Sequence, residues 1–339
     1  MLELADSTER LLADSCTLPA IRAIESGASA ADLWRALHES GFMDALVPEP
    51  KGGSGLSLRE AFPVLFAAGK YAVPVPFAPT LMARALLAHA EQPMPEGPIT
   101  IADAVQQKDG AIACARVPYG RVAQWALVQI GATSLTLLPI RDADVTPTGV
   151  HASLEADLRW TKAPAAAHFE APIAARVVGA CVYAAQLAGA MQRILDITVR
   201  YANERVQFGR PIAKFQAIQH HLSVIAEQTF AARMAAEMSC RNHTHFPDTA
   251  LAAVGKARAS EAAVTVAALG HAVHGAIGFT DEYELQLHTR RLYEWRLAYG
   301  SDTYWNERIG AELLRGNATA LDFIRTRLFP ASIDPDEPS

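Results

Sequence analysis

Residues 204–220 read ERVQFGRPIAKFQAIQH, a charged bend that contains a glycine and joins two long helical patterns. Before the bend, no proline occurs between Pro172 and Pro211, and proline suits the first position of a helix, so the sequence predicts one long helix in that interval. After the bend, apolar or small residues recur at alternating steps of four and three, as a helix packed along one stripe requires: Ile218, Leu222, Ile225, Thr229, Ala232 and Ala236. This arrangement predicts a helix bundle.

Patterns elsewhere in the chain predict the remaining organisation. Helical spacing predicts helices at 250–274, 281–298 and 303–325, and at 58–70 with Ser57 as the N-cap. Short apolar runs at 123–130 and 134–140 are bounded by Gly, Asp and Pro, which is typical of strands. The predicted fold is mainly α with a small central, barrel-like β-domain: a helical domain at 1–97, the β-domain at 98–171, a helical bundle at 172–330 and a tail at 331–339.

Composition excludes several classes of protein. The chain has 339 residues, 50% of them hydrophobic, and a formal net charge of −6, so no sequence-wide basic field is available to attract nucleic acid. No run reaches the roughly 20 uninterrupted apolar residues that span a bilayer, and the first residues lack the basic-then-apolar order of a secretion signal. We therefore expect a soluble cytoplasmic protein.

Metal and thiol chemistry find little support in the sequence. The four cysteines lie far apart with no Cys-x-x-Cys pair, which predicts buried reduced thiols. Several histidines occur, but they lie on different segments or faces without convincing carboxylate partners, whereas zinc needs three or four converging ligands. We predict no metal site, and we interpret Ser301 as a helix cap rather than a nucleophile.

The bend itself carries groups suited to a phosphorylated cofactor. Arg205 offers a planar fork of donors for a phosphate, Gly209 allows close approach of the backbone, and Phe208 could cover an aromatic ring. A hinge stabilised by a salt bridge would account for the same residues.

The motifs of this region resemble those of the acyl-CoA dehydrogenase family. Arg-x-x-Phe-Gly-x-x-Ile followed by Phe-Gln-x-Ile-Gln-His is similar to the family's carboxy-terminal helical domain, and the segment from His274 to Tyr283 resembles the His-Gly-Gly-x-Gly-Phe-Thr turn before its last helices. Trp34, the Gly41-Phe42 pair and the glycine cluster at 52–55 resemble its opening helices. The resemblance covers nearly the whole chain.

This resemblance implies an FAD-dependent enzyme that assembles as a dimer of dimers. Its bend would reach the FAD of a neighbouring subunit, with Arg205, Gln207 and Phe208 at the diphosphate and adenosine end. The expected cofactor-binding residues are Arg205, Gln207, Phe208, Gly209, Gln216, Gly275, Ala276 and Gly278. The resemblance further implies an acyl-CoA substrate, a homo- or hetero-oligomer with a related subunit, and an electron-transferring flavoprotein as acceptor.

The catalytic glutamate of the family is missing. In the family reaction a glutamate removes the α-proton of an acyl-CoA thioester while the flavin accepts the β-hydride. The family has two known places for this glutamate, and here they hold Tyr299 and Gly179. The turn also has Ala272 where the family has Gln and Ala276 where it has a second Gly. The family's Trp-x-Thr or Trp-x-Ser signature beside the flavin ring is not found, and neither is the stretch that precedes this signature. Val117-Pro118-Tyr119-Gly120 lies closest to the place of the signature.

Three interpretations remain open at this stage. The first is a working dehydrogenase with an unusual base, such as Glu294, Asp302 or a residue of a partner chain. The second is a non-catalytic subunit whose bend completes the FAD site of a glutamate-bearing chain. The third is a helical protein that binds an acyl thioester or a protein without redox chemistry.

Overall fold

The computed structural model describes residues 2–107, 110–162, 167–242, 244–316 and 318–329. The expected tail at 331–339 lies outside these residues. Helices form both ends of the described chain, and strands are concentrated in its middle. The first helical group comprises α1 (Leu2–Ser15), α2 (Leu18–Glu25), α3 (Ala31–Glu39), α4 (Leu58–Lys70) and α5 (Phe77–His89).

Helix α4 begins where the sequence predicts. The Ser57 hydroxyl accepts a hydrogen bond from the Glu60 backbone amide, and the Glu60 carboxylate accepts one from the Ser57 amide at 2.8 Å. Such a reciprocal capping box satisfies two amide groups that the first turn of a helix leaves without partners. The prediction of a helix at 58–70 with Ser57 as N-cap is therefore confirmed.

The central region consists of two four-stranded sheets. Its strands are β1 (Ile99–Asp103), β2 (Val105–Gln106), β3 (Ile112–Val117), β4 (Trp125–Gln129), β5 (Ser134–Pro139), β6 (Asp144–Pro147), β7 (Ala156–Trp160) and β8 (Ala167–Glu170). One sheet has the order β1-β4-β5-β8, with β1 parallel to β4, and the other has the order β2-β3-β7-β6. A small apolar cluster around Trp160, Ile112 and Leu138 draws on strands of both sheets. The two predicted strand regions become β4 and β5.

The carboxy-terminal helices form a bundle around the longest helix. They are α6 (Ala175–Glu204), α7 (Gln216–Ser239), α8 (Thr249–His274), α9 (Leu285–Trp295), α10 (Asp302–Arg315) and α11 (Ala320–Phe323), with a short two-stranded hairpin of β9 (Val206–Gln207) and β10 (Arg210–Pro211) after α6. The predicted stripe on α7 is buried at Ile225, Thr229, Ala232 and Ala236. Helix packing of the predicted kind is confirmed.

Three of the predicted helices have wrong boundaries. Helix α6 begins at Ala175 rather than at Pro172, because the Ala175 amide donates to the Gln129 side-chain oxygen at 2.5 Å, a contact from another segment of the chain. The helix expected at 281–298 spans only Leu285–Trp295, since turns form on both sides of it. The helix expected at 303–325 ends at Arg315, and the chain is extended at Gly316 before α11 begins.

Helix α8 is long and apolar enough to pass a composition test for a membrane span. The test covers 249–279 with a mean hydropathy of 1.5, and among the described residues no second helix meets it. In the fold, α8 lies in the bundle between α6, α7 and α10, and its alanine-rich faces are buried against them. Burial in the core of the bundle therefore accounts for the apolar sequence of α8.

Helices α4 and α6 cross closely because each contributes a glycine to the contact. A Cβ atom at Gly69 would lie 2.0 Å from the Gln186 carbonyl oxygen, and one at Gly189 would lie 2.0 Å from the Phe66 carbonyl oxygen. Both obstacles are backbone atoms of the opposing helix, which cannot rotate away. The crossing therefore requires glycine at both positions.

We predict that Gly189→Ala destabilises the fold by about 3 kcal/mol or more, because the added methyl group forces α4 and α6 apart. The matched control is Gly310→Ala on α10, where a Cβ atom would meet nothing within 4 Å. This control should raise stability by up to about 1 kcal/mol, because alanine favours a helix over glycine. Urea denaturation of both variants measures the difference, and equal stabilities would contradict the close crossing.

Candidate functional site

The bend between α6 and α7 is a tight hairpin. Gln207 pairs with Arg210 and Val206 with Pro211, and the two turn residues Phe208 and Gly209 have φ values of 50° and 80°. Two consecutive positive φ angles are characteristic of a type I′ turn, which suits glycine and strains phenylalanine. The strained Phe208 side chain is 93% exposed. The turn therefore presents an aromatic ring to the surroundings at an energetic cost.

The predicted cofactor-binding residues of the hairpin are all at the surface. Arg205, Gln207 and Gln216 are exposed, and their side chains make no hydrogen bond or ion pair with the described residues. A Cβ atom at Gly209 would meet nothing within 4 Å. The alternative of a hinge salt bridge at Arg205 is thus not observed within the described chain. The guanidinium is free to bind an anion from outside the chain.

The second predicted turn follows α8. Gly275 has φ 63° and ψ −141°, a conformation that favours glycine, and Gly275 and Ala276 are exposed. Gly278 differs, because it is buried and a Cβ atom there would lie 2.9 Å from the Leu285 side chain. Packing against α9 therefore accounts for Gly278 without a ligand.

Tyr201 connects the two turns. Its hydroxyl donates to the His274 carbonyl oxygen at 3.3 Å, and the two rings stack with centroids 4.4 Å apart. Tyr201 lies in the last turn of α6, just before Arg205, and His274 precedes Gly275. The contact brings the hairpin and the Gly275 turn to the same end of the bundle. Sequence reasoning missed Tyr201, although its position one helical turn before Arg205 was a usable signal.

The two positions where the family's glutamate is expected lie against each other. A Cβ atom at Gly179 would be 2.2 Å from Cγ of Tyr299, so the phenol ring fills the space that a side chain at residue 179 would need. The Tyr299 hydroxyl donates to the Ile101 carbonyl oxygen of β1. Burial raises the pKa of Tyr299 well above its ordinary value, so the phenol stays protonated at neutral pH. Neither position supplies a base.

The turn that carries Tyr299 is held by a buried lysine. Lys256 of α8 is fully buried and donates to Ser260 Oγ, to the Arg296 carbonyl and to the Gly300 carbonyl at 2.9, 2.9 and 2.8 Å. Burial lowers the pKa of Lys256 to about 7, and the three oxygens match the three donors of the ammonium form. Trp305 Nε1 donates to the Tyr299 carbonyl at 3.0 Å. These contacts keep the phenol in place even though Tyr299 has a φ of 55°.

The two alternative carboxylates named from the sequence form structural ion pairs. Glu294 binds Arg291 at 3.2 Å, and Arg291 binds Glu25 of α2 at 2.6 Å, which ties α9 to the first helical group. Asp302 binds Arg296 at 3.0 Å beside the Lys256 contacts. Both carboxylates are thus engaged in holding helices together.

A cavity of about 450 Å³ lies between the β-domain and the helical bundle, bordered by Tyr299. Arg116, Glu155, Asp103 and Arg176 line it together with apolar residues of β1, β3 and the segment before Tyr299. Arg116 binds Glu155 at 3.0 Å, and Arg176 binds Asp103 at 2.8 Å. The cavity is therefore lined by two ion pairs and an apolar wall.

Glu155 is the most perturbed acid of this cavity. Burial, together with the nearby Glu294 carboxylate, raises its pKa to about 7 despite the neighbouring Arg116. Its side chain is only 6% exposed. Sequence reasoning missed this residue because it searched for a carboxylate on the helices, whereas Glu155 immediately precedes β7.

The described residues of the hairpin suit the adenosine and diphosphate end of an FAD molecule. The hairpin and the Gly275 turn offer free donors, bare backbone and an exposed ring, which match a diphosphate and an aromatic base. The cavity beside Tyr299 is lined by two ion pairs and contains no tryptophan among its lining residues.

The sequence matches the family profiles over both helical regions. The profile described as acyl-CoA dehydrogenase, C-terminal domain, matches residues 175–314, and the one described as acyl-CoA dehydrogenase, N-terminal domain, matches residues 2–92. The acyl-CoA dehydrogenase IpdE2 of Mycobacterium tuberculosis (strain ATCC 25618 / H37Rv) is 31% identical over 274 residues, which cover 77% of this chain and 80% of that protein. The chain belongs to the acyl-CoA dehydrogenase family.

Solved structures share the fold over nearly the whole chain. The ChsE4–ChsE5 complex from Mycobacterium tuberculosis has a TM-score of 0.79 at 22% identity and covers 94% of this chain and 98% of its own. The FAD complex of PigA has a TM-score of 0.75 at 17% identity and covers 93% and 97%. At these identities the likeness establishes the fold, and it confirms the predicted architecture of helical ends around a small β region.

We predict that Gly179→Ala costs about 3 kcal/mol of stability, because the new methyl group collides with the Tyr299 ring. Tyr299→Ala removes that ring, so the double variant should be about 2 kcal/mol more stable than the sum of the two single losses predicts. Urea denaturation of the wild type, both single variants and the double variant measures this coupling. Strictly additive losses would contradict direct contact between the two residues.

We predict that Glu155→Gln gains stability relative to the wild type as the pH rises from 5 to 8. The folded chain keeps the Glu155 proton up to a pKa of about 7, whereas the unfolded chain releases it near 4.3, so ionisation destabilises the fold in this window. The relative gain should be about 2 to 3 kcal/mol, obtained from chemical denaturation at both pH values. Glu227→Gln, on the exposed face of α7, is the control, and a pH-independent difference for Glu155→Gln would contradict the raised pKa.

Proposed function

We propose that this chain is one subunit of an oligomeric, FAD-dependent acyl-CoA dehydrogenase, and that it completes the FAD site of a different, glutamate-bearing subunit. The reaction of the assembly is α,β-dehydrogenation of an acyl-CoA thioester. In this division of roles, the chain supplies the adenosine and diphosphate end of the cofactor site. The partner supplies the catalytic base.

One observation carries this proposal: the Tyr299 phenol packs on Gly179. Abstraction of a weakly acidic α-proton needs a base within hydrogen-bonding reach and with a suitable pKa. Here both family positions of the glutamate meet in a single contact that contains no carboxylate, and burial raises the pKa of the Tyr299 phenol well above its ordinary value. The family membership and the missing base together support a subunit that depends on a partner.

The residues of the hairpin fit the role of a cofactor clamp. FAD, when bound, would supply the acceptor for the hydride of the substrate. Arg205 would hold the diphosphate through its free guanidinium, Gln207 and Gln216 would donate amide hydrogen bonds, and Phe208 would cover the aromatic base. The bare backbone at Gly209, Gly275 and Ala276 would allow close approach. Gly278 would act only indirectly, through the packing of the turn on α9.

The printed names of relatives support the same class of complex. IpdE2 is named an acyl-CoA dehydrogenase, the ChsE4–ChsE5 structure is a complex of two differently named chains, and the PigA structure is an FAD complex. We extend these features to the present chain as part of the proposal, together with a cytoplasmic location and an electron-transferring flavoprotein as the acceptor. We likewise propose the three-domain division at 1–97, 98–171 and 172–330.

The visible absorption spectrum tests the proposal directly. The chain is purified alone and after co-expression with a family homologue that retains the glutamate, and each sample is titrated anaerobically with acyl-CoA thioesters. We expect no flavin band from the chain alone, and a flavin band that bleaches with substrate from the complex. A flavin band that bleaches in the chain alone would overturn the proposal in favour of a self-sufficient dehydrogenase. Lack of flavin in both samples would favour a binding protein.

We predict that Arg205→Ala and Phe208→Asn each lower the FAD affinity of the co-expressed complex by about 10- to 100-fold, because they remove a charge-assisted contact and a stacking surface. Asparagine tolerates the positive φ of residue 208, so the turn itself should persist. Arg59→Gln, at an exposed position of α4, is the control for loss of a surface charge. FAD release measured by flavin fluorescence gives the affinities, and unchanged values would exclude the hairpin from the cofactor site.

A further inference from the structure

The cavity beside Tyr299 has no role in the proposed function. If the flavin and the base belong to the partner, a volume of about 450 Å³ lined by Arg116, Arg176, Glu155 and Asp103 is left in this chain. Glu155 is 6% exposed and is paired with Arg116, whereas the side chains of Arg116 and Arg176 are 54% and 41% exposed. Both guanidinium groups can therefore be reached by a ligand that enters the cavity from solvent.

The backbone around the cavity is strained where charged and phenolic groups enter it. Arg116 and Tyr299 have φ values of 49° and 55°, and Tyr119, next to Pro118 of the cavity wall, has 59°. The pairing of β3 with β7 shifts register between Cys114 and Val117, which is a bulge around Arg116. A bulge changes the direction of a strand side chain, and such distortions concentrate at binding sites. Here the bulge aims Arg116 at the cavity.

The arginines retain unused hydrogen-bonding capacity. Nε and Nη2 of Arg116 both donate to the same Glu155 oxygen, at 3.3 and 3.0 Å, and Nη1 has no partner among the described residues. Arg176 donates through Nε to one Asp103 oxygen at 2.8 Å and lies over the Tyr304 ring. Each guanidinium is thus anchored by one ion pair and can still bind an oxyanion.

The cavity also has apolar lining residues. They are Ile101, Val117, Pro118, Leu297 and Ala298, and Leu297 is 47% exposed despite its aliphatic side chain. A ligand that contacts both the guanidinium groups and these residues has an anionic end and a hydrocarbon body. A purely inorganic anion would leave the apolar wall in contact with water.

We propose that this cavity binds an amphipathic carboxylate, such as the free acid of an acyl group, with Arg116 and Arg176 holding the carboxylate and the Leu297 wall holding the hydrocarbon. No bond is made or broken in this binding. The site lies in this chain alone and is separate from the hairpin that contributes to the cofactor site.

Binding of the carboxylate should take up a proton at Glu155. The pKa of Glu155 is already raised to about 7 by burial and by Glu294, and a bound anion raises it further. The other ionisable groups that act on Glu155 are cationic Arg116 and Arg291, while the neutral phenols of Tyr183 and Tyr299 lie nearby. Because the pKa of Glu155 is about 7, the affinity for the carboxylate should be higher at pH 6 than at pH 8.

Isothermal titration of the full-length chain with octanoate tests the proposal. We expect saturable binding of one octanoate per chain, about tenfold tighter at pH 6 than at pH 8, with weaker binding of 1-octanol and of inorganic phosphate. Phosphate that binds as tightly as octanoate would overturn the amphipathic assignment in favour of a simple anion site. Octanol that binds as tightly would show that the arginines do not take part.

Three variants separate the site from nonspecific effects. Arg116→Gln should weaken octanoate binding about 10- to 100-fold, whereas Arg59→Gln on the surface should leave it unchanged. Glu155→Gln should keep binding at the pH 6 level and abolish the pH dependence, because the amide cannot ionise. Since Glu155→Gln gains binding at pH 8, misfolding cannot imitate this result. Equal affinities for all variants, or no octanoate binding by the folded wild type, would overturn the proposal. Neither result would bear on the FAD role of the hairpin, which the flavin spectrum tests separately.

Discussion

The close approach that glycine allows along α6 is the constraint on which the rest of this structure depends. Gly189 brings α4 to backbone contact distance, and Gly179 makes room for the ring of Tyr299. Helix α6 also packs on α7, α8 and α9, so each neighbour takes its position from this one helix. A helix with larger residues at these two points would move the amino-terminal helices on one side and the Tyr299 turn on the other. The same helix ends at the hairpin, so the packing of the bundle and the placement of the hairpin have a common origin.

The contact between Tyr299 and Gly179 changes the chemistry of the central cavity. Tyr299 borders the cavity, and its phenol packs on Gly179 of α6 and donates to the Ile101 carbonyl of β1. Lys256 holds the turn behind it by donating to two backbone carbonyls, which leaves the phenol little freedom. The charged groups of the cavity are Asp103, Arg116 and Glu155 of the β region and Arg176 of α6. Neither base position contributes a charge to the cavity, whose charges belong to the Arg116–Glu155 and Arg176–Asp103 ion pairs.

Sequence reasoning recovered the features that depend on short-range patterns. The Ser57 cap and the buried stripe of α7 follow from spacing and from motifs that lie close together in the chain. The cofactor role of the hairpin residues and the base positions at Tyr299 and Gly179 stay predictions. Sequence reasoning failed where a partner comes from a distant segment. The start of α6 is fixed by Gln129 of β4 rather than by Pro172, and the contact of Gly179 with Tyr299 joins the beginning of α6 to the segment before α10. Glu155 was missed for the same reason, because its raised pKa results from Glu294 and burial, which no local pattern encodes.

The hairpin and the cavity differ in how far contacts within the chain offset their backbone strain. At the hairpin, Phe208 has a positive φ and is 93% exposed, with its ring centroid 6.1 Å from that of Phe215 in an edge-on contact. Arg205 is exposed and makes no side-chain hydrogen bond with the described residues, so both side chains can be reached by a group from outside the chain. At the cavity, the strain at Arg116 and Tyr299 is partly compensated internally, by the Glu155 ion pair and by the bond to Ile101. The contacts at the cavity persist without a ligand, whereas the exposed groups of the hairpin are available to a group from outside the chain. This difference supports our proposals of a shared cofactor at the hairpin and of a ligand of this chain alone at the cavity.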